Sequence, residues 1–282
     1  MPKKNRKVDS KEVGLELGLM VFKFFLKSEY LHYGYFKDGL ETDIQNLKQA
    51  QENYTQLLLE SIPGGTKSIL DVGCGSGKTA STLISNGYSV DCVSPGTILT
   101  NYAANLLGDQ ATIYNTKFED IKEDKKYDLI LFSESFQYIP LSSSIENALQ
   151  RLNDGGHIMI CDFFKTEAPG KSYLGGGHRF THWQETMEQY KSKISLVKEL
   201  DITKETAPTI DLVNQLSNEV FAPVSKSVWA VAEDRFPLLI KIINWKYKKK
   251  FQKMRKKHLE GQRTGENFIK HKKYMFYLFQ KS

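Results

Sequence analysis

The chain has 282 residues, 40% of them hydrophobic, which favours one large α/β domain with an inserted cap over two equal domains. A formal charge of +6 and a pI near 8.9 lean towards an anionic substrate, a membrane surface or nucleic acid, without choosing among them. Cys74, Cys92 and Cys161 have no metal-ligand spacing and read as buried small apolar residues.

Taken in order, the first dozen residues are charged and read as a solvated tail. Residues 12–27 predict a helix with Leu15, Leu19, Phe22 and Leu26 on one face. Its apolar run contains Lys23 and is too short to span a bilayer. With no signal peptide evident, a reduced cytoplasmic setting is expected. A dense aromatic cluster follows, from Tyr30 through His32, Tyr33, Gly34 and Tyr35 to Phe36. It serves either as a core plug or as a flap over a ligand. Residues 43–61 predict a second helix, ended by Pro63-Gly64-Gly65.

Residues 68–80, SILDVGCGSGKTA, organise what comes next. A short apolar strand carrying Asp71 runs into Gly73, Gly75 and Gly77 and then into helix-favouring residues. Glycines there keep side chains away from a ligand that must approach the backbone. The dinucleotide fingerprint needs a glycine where Lys78 stands, and the phosphate-binding P-loop needs one at Val72. An acid followed by glycine-x-glycine-x-glycine fits every position, and it resembles motif I of the class I S-adenosylmethionine (SAM)-dependent methyltransferases.

Strand candidates at 68–72, 89–93, 112–115, 129–133 and 157–163 alternate with helices. That pattern predicts a parallel doubly wound sheet with ligands at the carboxyl ends of its strands. Beyond residue 164, glycines crowd 170–177, a helix falls near 183–191, a strand-like run covers 195–200, and a long helical region spans 211–259. Residues 267–271 and 274–280 read as a closing hairpin turning at Lys272-Lys273. The resemblance implies a Rossmann-like methyltransferase sheet with a helical cap after the fifth strand. The predicted division is N-terminal helices and flap over 1–62, SAM-binding core over 63–164, helical cap over 165–263 and closing strand pair over 264–282.

The same resemblance implies roles for residues. Asp71, Gly73, Gly75 and Gly77 would hold SAM, with Tyr33 of the flap near its carboxylate. The acid for the ribose hydroxyls falls on Asp91 by distance, with Ser94 as a second candidate. In families with Ser-Pro after this strand the acid's place is here Cys92. Phe118 and Glu119 would meet adenine, and Ser133 ends the fourth strand. Residues 127–140 are similar to the methyltransferase segment after that strand, but Gln137 and Tyr138 replace the Glu-His pair of related alkaloid and cyclopropane-forming enzymes. Leu152 to His157 resembles the turn before the fifth strand, with Asp154 in place of proline.

A SAM-dependent methyltransferase acting on a small lipophilic molecule is the reading these matches favour. Glu134, Tyr138, His32 and His178 are its candidate catalytic groups, with His182 a further base candidate. The acceptor is expected to be lipophilic or anionic, and no metal is implied. Residues 237–260 predict one basic amphipathic helix with Ile240, Ile243, Tyr247, Phe251 and Met254 as its stripe. Lysines from 246 to 257 offer a peripheral membrane contact. The alternatives are an RNA or protein methyltransferase docking through that helix, and a SAM-binding protein without catalysis. No recognised RNA-binding module accompanies the charge, so nucleic acid is disfavoured.

Overall fold

The structure, a computed structural model, describes residues 10–170, 172–258 and 263–282, and their side chains apart from 10–12 and 253–258. The described strands are β1 Ser68–Val72, β2 Ser89–Val93, β3 Ile113–Tyr114, β4 Tyr127–Ser133, β5 Leu152–Lys165, β6 Ile194–Asp201 and β7 Lys272–Lys281. They form one sheet in the order β3-β2-β1-β4-β5-β7-β6. β1 to β5 run parallel, and β7 lies antiparallel between β5 and β6. The order reverses between β1 and β4, which opens a crevice at their carboxyl ends.

Helices α1 Ser10–Val21 and α2 Leu47–Glu60 precede the sheet. α3 Lys78–Ser85, α4 Thr97–Leu107, α5 Leu141–Arg151 and α6 Phe180–Tyr190 connect its strands. Strand residues alternate between two cores, because successive side chains point to opposite faces. Ile69, Leu129, Leu131, Met159 and Cys161 meet Tyr54 and Leu58 of α2 and Leu83 of α3. Leu70, Val72, Ile130, Phe132, Ile158 and Ile160 meet Ile145 of α5 and Trp183 of α6. Burial on both faces is why these strands read as continuous apolar runs.

The closing segment departs from expectation. Residues 267–271 are not a strand: they belong to α11 Gly265–His271. Thr264 caps this helix by accepting the Asn267 N–H at 3.1 Å, and Phe268 and His271, three positions apart, form its buried face. The strand partner of β7 is instead β6, which the sequence placed inside the cap. β6 is exposed along most of its length, so it lacks the apolar signature of the inner strands. The helical block therefore follows the sixth strand rather than the fifth. It comprises α7 Thr203–Thr206, α8 Pro208–Leu216, α9 Ala222–Arg235, α10 Pro237–His258 and α11. The end expected for the basic helix at Glu260 lies outside the described residues, as do the side chains of Lys253, Met254, Lys256 and Lys257.

The aromatic segment is extended and pinned to α2. Gln51 donates to the carbonyls of Tyr30 and His32 at 3.2 and 2.8 Å, and Tyr35 N donates to Ala50 O at 2.7 Å. Tyr30, His32 and Phe36 are buried, whereas Leu31, Tyr33 and Tyr35 keep some surface. Alternation lets one strip plug the core with one edge and cover the sheet end with the other.

Candidate active site

The glycine turn sits at the carboxyl end of β1. Gly73 N donates to Val93 O at 2.7 Å and Gly77 N to Cys74 O at 2.8 Å. All three glycines have positive φ, at 80°, 55° and 79° in order. Their neighbours differ. A Cβ at Gly73 would strike Ser135 Cβ, and one at Gly77 would lie 2.9 Å from Ala103 Cβ. At Gly75 it would meet Leu31 Cδ1 alone, at 3.6 Å. Packing thus requires glycine at 73 and 77, while Gly75 leaves its backbone open to a ligand. Beneath the turn, Asp71 is 1% exposed and its Oδ2 has no hydrogen-bond partner. Burial raises its pKa to about 7. An orphaned buried carboxylate oxygen beside an open glycine backbone suits a polar, cationic ligand such as SAM.

The flap is fastened over this turn at three points. Ser76 Oγ donates to Glu29 O at 2.6 Å, Leu31 reaches towards Gly75, and Tyr33 N donates to Glu134 Oε1 at 2.6 Å. Glu134 follows β4 in the left-handed region, at φ 55°, which a non-glycine residue adopts at a cost. The same Oε1 accepts from Tyr274 Oη at 2.6 Å. Tyr54 Oη lies 3.4 Å from Tyr274 Oη and 3.0 Å from Ser133 Oγ, and also donates to Cys161 O. Burial raises the Glu134 pKa to about 8 against these two donors. The Tyr33 ring packs with Phe163, Phe268 and Tyr274 at centroid distances of 5.7–6.0 Å. Carboxyl, phenols and apolar rings so meet at one place.

Sequence reasoning passed over a second acid at this edge, Asp162 of β5. It is 1% exposed, burial lifts its pKa to about 7, and its charge acts on Glu134. Gln137 grips it twice, through N at 3.0 Å and Nε2 at 3.1 Å, while Gln137 Oε1 accepts the Gly177 N–H at 3.0 Å. Lys272 beside it is held by the carbonyls of Gly175 and Gly176, and burial lowers its pKa to about 8. One signal was available: a lone acid in the apolar run of β5, the same anomaly that marks Asp71 in β1.

The remaining candidates scatter. His32 is buried, with Nδ1 at 2.8 Å from Tyr33 O, Nε2 at 3.2 Å from Thr55 Oγ1 and its ring stacked on Tyr54. Burial lowers its pKa to about 4, and with both ring nitrogens engaged inside the fold it is a strut between flap and α2. His178 turns Nε2 to Phe136 O at 3.1 Å, and burial lowers its pKa too. His182 is exposed beside Glu185. Tyr138 is 69% exposed at the rim, on the turn Phe136–Tyr138, where the charges of Asp162 and Glu134 reach it.

Asp91 is not brought to the site. Its carboxylate takes Tyr127 Oη at 2.7 Å and Lys125 Nζ at 2.6 Å. Tyr127 begins β4, so Asp91 leans towards the amino ends of the strands, away from the crevice. Ser94 is buried just past β2. Phe118 is 2% exposed, edge-on to Phe132 in the core, and offers no open ring face to adenine, while Glu119 beside it keeps surface. Two cavities flank the site without being lined by the glycine turn. One of about 750 Å³ lies between Lys23, Glu29, Tyr30 and Lys78, and one of about 520 Å³ between α1 and α8.

Sheet order, antiparallel β7 and glycine turn together define a class I SAM-dependent methyltransferase fold. Residues 44–205, more than half of the chain, match the family model described as a methyltransferase domain, and the chain belongs to that family. It is 32% identical over 117 residues to the ubiquinone biosynthesis O-methyltransferase of Acinetobacter baylyi, covering 38% of this chain and 47% of that protein. The chain thus spans about half the length of that curated relative. Cyclopropane synthase MmaA2 from Mycobacterium tuberculosis has a similar structure, with TM-score 0.67, 14% identity and coverage of 99% and 100% of the two chains. Geranyl diphosphate C-methyltransferase from Streptomyces coelicolor, in complex with Mg2+, geranyl diphosphate and S-adenosyl-L-homocysteine, superposes with TM-score 0.64 at 13% identity, covering 98% and 100%.

Proposed function

We propose that the chain is a SAM-dependent methyltransferase whose acceptor is a small lipophilic molecule of terpenoid, quinone or lipid-like kind. The observation that carries this reading is the open backbone at Gly75 beside the unpartnered Oδ2 of Asp71, in a chain of the methyltransferase family. SAM bound there supplies an electrophilic methyl group on a cationic sulfur. The chain's own part is alignment and exclusion of water, worth up to about 7–11 kcal/mol. Asp71 and the glycine turn hold the cofactor, and the fastened flap covers it. Tyr33, Phe163, Phe268 and Tyr274 form an apolar wall suited to a lipophilic acceptor. The names of similar proteins, an O-methyltransferase of ubiquinone synthesis and a geranyl diphosphate C-methyltransferase, agree with that class.

Where the acceptor is an alcohol or phenol, Glu134 takes its proton. A carboxyl with a pKa near 8 is matched to that task near neutral pH, as imidazole is in enzymes with a Glu-His pair. Gln137 then positions Asp162 and the loop at Gly177 rather than reacting. Incubating a cell extract with isotope-labelled SAM and purified chain tests the reading. Label in a solvent-extractable small molecule supports it, and label confined to RNA or protein overturns it.

A further inference from the structure

α10 carries two apolar stripes, and the structure covers one of them. Ile240 is buried, Ile243 half-buried, and Phe251 meets Trp229 of α9 edge-on at 5.7 Å, while Tyr247 between them is 41% exposed. The second stripe is Leu238, Ile242 and Trp245, which recur at helical spacing and are 77%, 59% and 82% exposed. α9 repeats the pattern with Val224, Val228 and Val231, at 57%, 64% and 62%, and has no buried residue. Phe236, between the helices, is 60% exposed. An uncovered apolar surface of this extent is uncommon on a chain that stays alone in water.

Charge decides what covers it. Exposed Lys241, Lys246, Lys248, Lys249 and Lys250 surround the second stripe; α10 has no acid, and those of α9, Glu233 and Asp234, are confined to its last turn, where Glu233 accepts from Trp229 Nε1 at 3.0 Å. A second copy seated on the same stripe would bring like charges together. An anionic bilayer accepts both parts at once: aromatic and aliphatic side chains enter the headgroup boundary while lysines pair with lipid phosphates. We infer that the α9–α10 hairpin is an in-plane docking surface for anionic phospholipid membranes, with Trp245 at its centre. No described helix is long and apolar enough to cross a membrane, so the contact is peripheral. It does not depend on which acceptor the site takes.

The full chain is sedimented with phosphatidylcholine vesicles and with mixed phosphatidylcholine–phosphatidylglycerol vesicles over a salt series. Binding is expected to the mixed vesicles, weakening steeply as salt rises. Leu238→Asp with Trp245→Asp should weaken it at least about tenfold, since charge then sits in the apolar boundary. Replacing Lys241, Lys246 and Lys249 with Gln should weaken it roughly a hundredfold, at about fivefold per cation. These residues are exposed, so SAM titration and circular dichroism should match the parent chain. Equal binding to neutral vesicles, or no binding at low salt, overturns the inference. So does a dimer in sedimentation equilibrium that Trp245→Asp dissolves without any vesicle binding. RNA binding that the lysine variant loses and the Trp245 variant keeps would also sink it. Failure on vesicles leaves the labelled-SAM result standing, and the reverse holds equally.

Discussion

The backbone N–H of Tyr33 donates to the Glu134 carboxylate at 2.6 Å, joining the flap to the end of β4 across 101 positions of sequence. The acid that closes the flap is the same group proposed to take the acceptor's proton. Glu134 holds a left-handed backbone there and accepts a second donor, Tyr274, while burial raises its pKa to about 8 against both.

Glu134→Gln keeps an oxygen for both donors and removes the titrating proton. Cofactor affinity should stay within about threefold, because the flap remains fastened. Turnover on a hydroxyl acceptor should fall about 10²–10⁴-fold. The parent rate should climb between about pH 7 and 8.5, following the apparent pKa values of the Glu134 and Asp162 pair, and the variant should lose the upper limb. A Gln variant with full rate and an unchanged profile would assign the proton to Asp162.

Stability should fall as pH rises. Asp71 and Asp162 have pKa values near 7 and Glu134 near 8, against ordinary values of 3.8 and 4.5, so the folded state holds protons that the unfolded chain releases. Their contribution is complete below about pH 4 and is lost as pH climbs through 7 to 8. Neutral His32 acts oppositely, but only below its ordinary value of 6.5. The thermal midpoint without cofactor should therefore drop from about pH 6.5 to 8.5, and Asp71→Asn should flatten that slope. Scanning calorimetry over this range decides it.

The glycine turn separates binding from packing. Gly75→Ala has room for its methyl and should cost about 1–2 kcal/mol for the left-handed backbone, while SAM affinity drops tenfold or more. Gly77→Ala meets Ala103 and should cost stability first. Urea midpoints paired with SAM titrations distinguish the two. Unaltered affinity in Gly75→Ala would remove the basis for placing SAM there.

Asp91→Ala should unsettle the fold rather than the cofactor. It strands the buried Tyr127 hydroxyl, at about 1–3 kcal/mol, whereas the exposed Lys125 contributes little. SAM affinity should change less than twofold. A tenfold loss in titration would return the ribose role to Asp91.

Local pattern was enough for the sheet and the turn. The alternation of apolar strands with helices, the acid ahead of Gly73, Gly75 and Gly77, and the family resemblance can all be read along the chain, because hydrophobic period and glycine conformation are properties of neighbouring residues. Three-dimensional packing decided the rest. Asp91 lies at the expected distance from the glycine turn, yet Tyr127, 36 positions away, turns its carboxylate from the crevice. Gln137 grips Asp162 from 25 positions away, a pairing no local pattern records. β6 joined the sheet because β7, over 70 residues later, supplied its ladder, and no local period records that partner. α10 showed the sequence one apolar stripe, but which stripe is covered depends on where α9 lies, and that is set by contacts between segments, not within them.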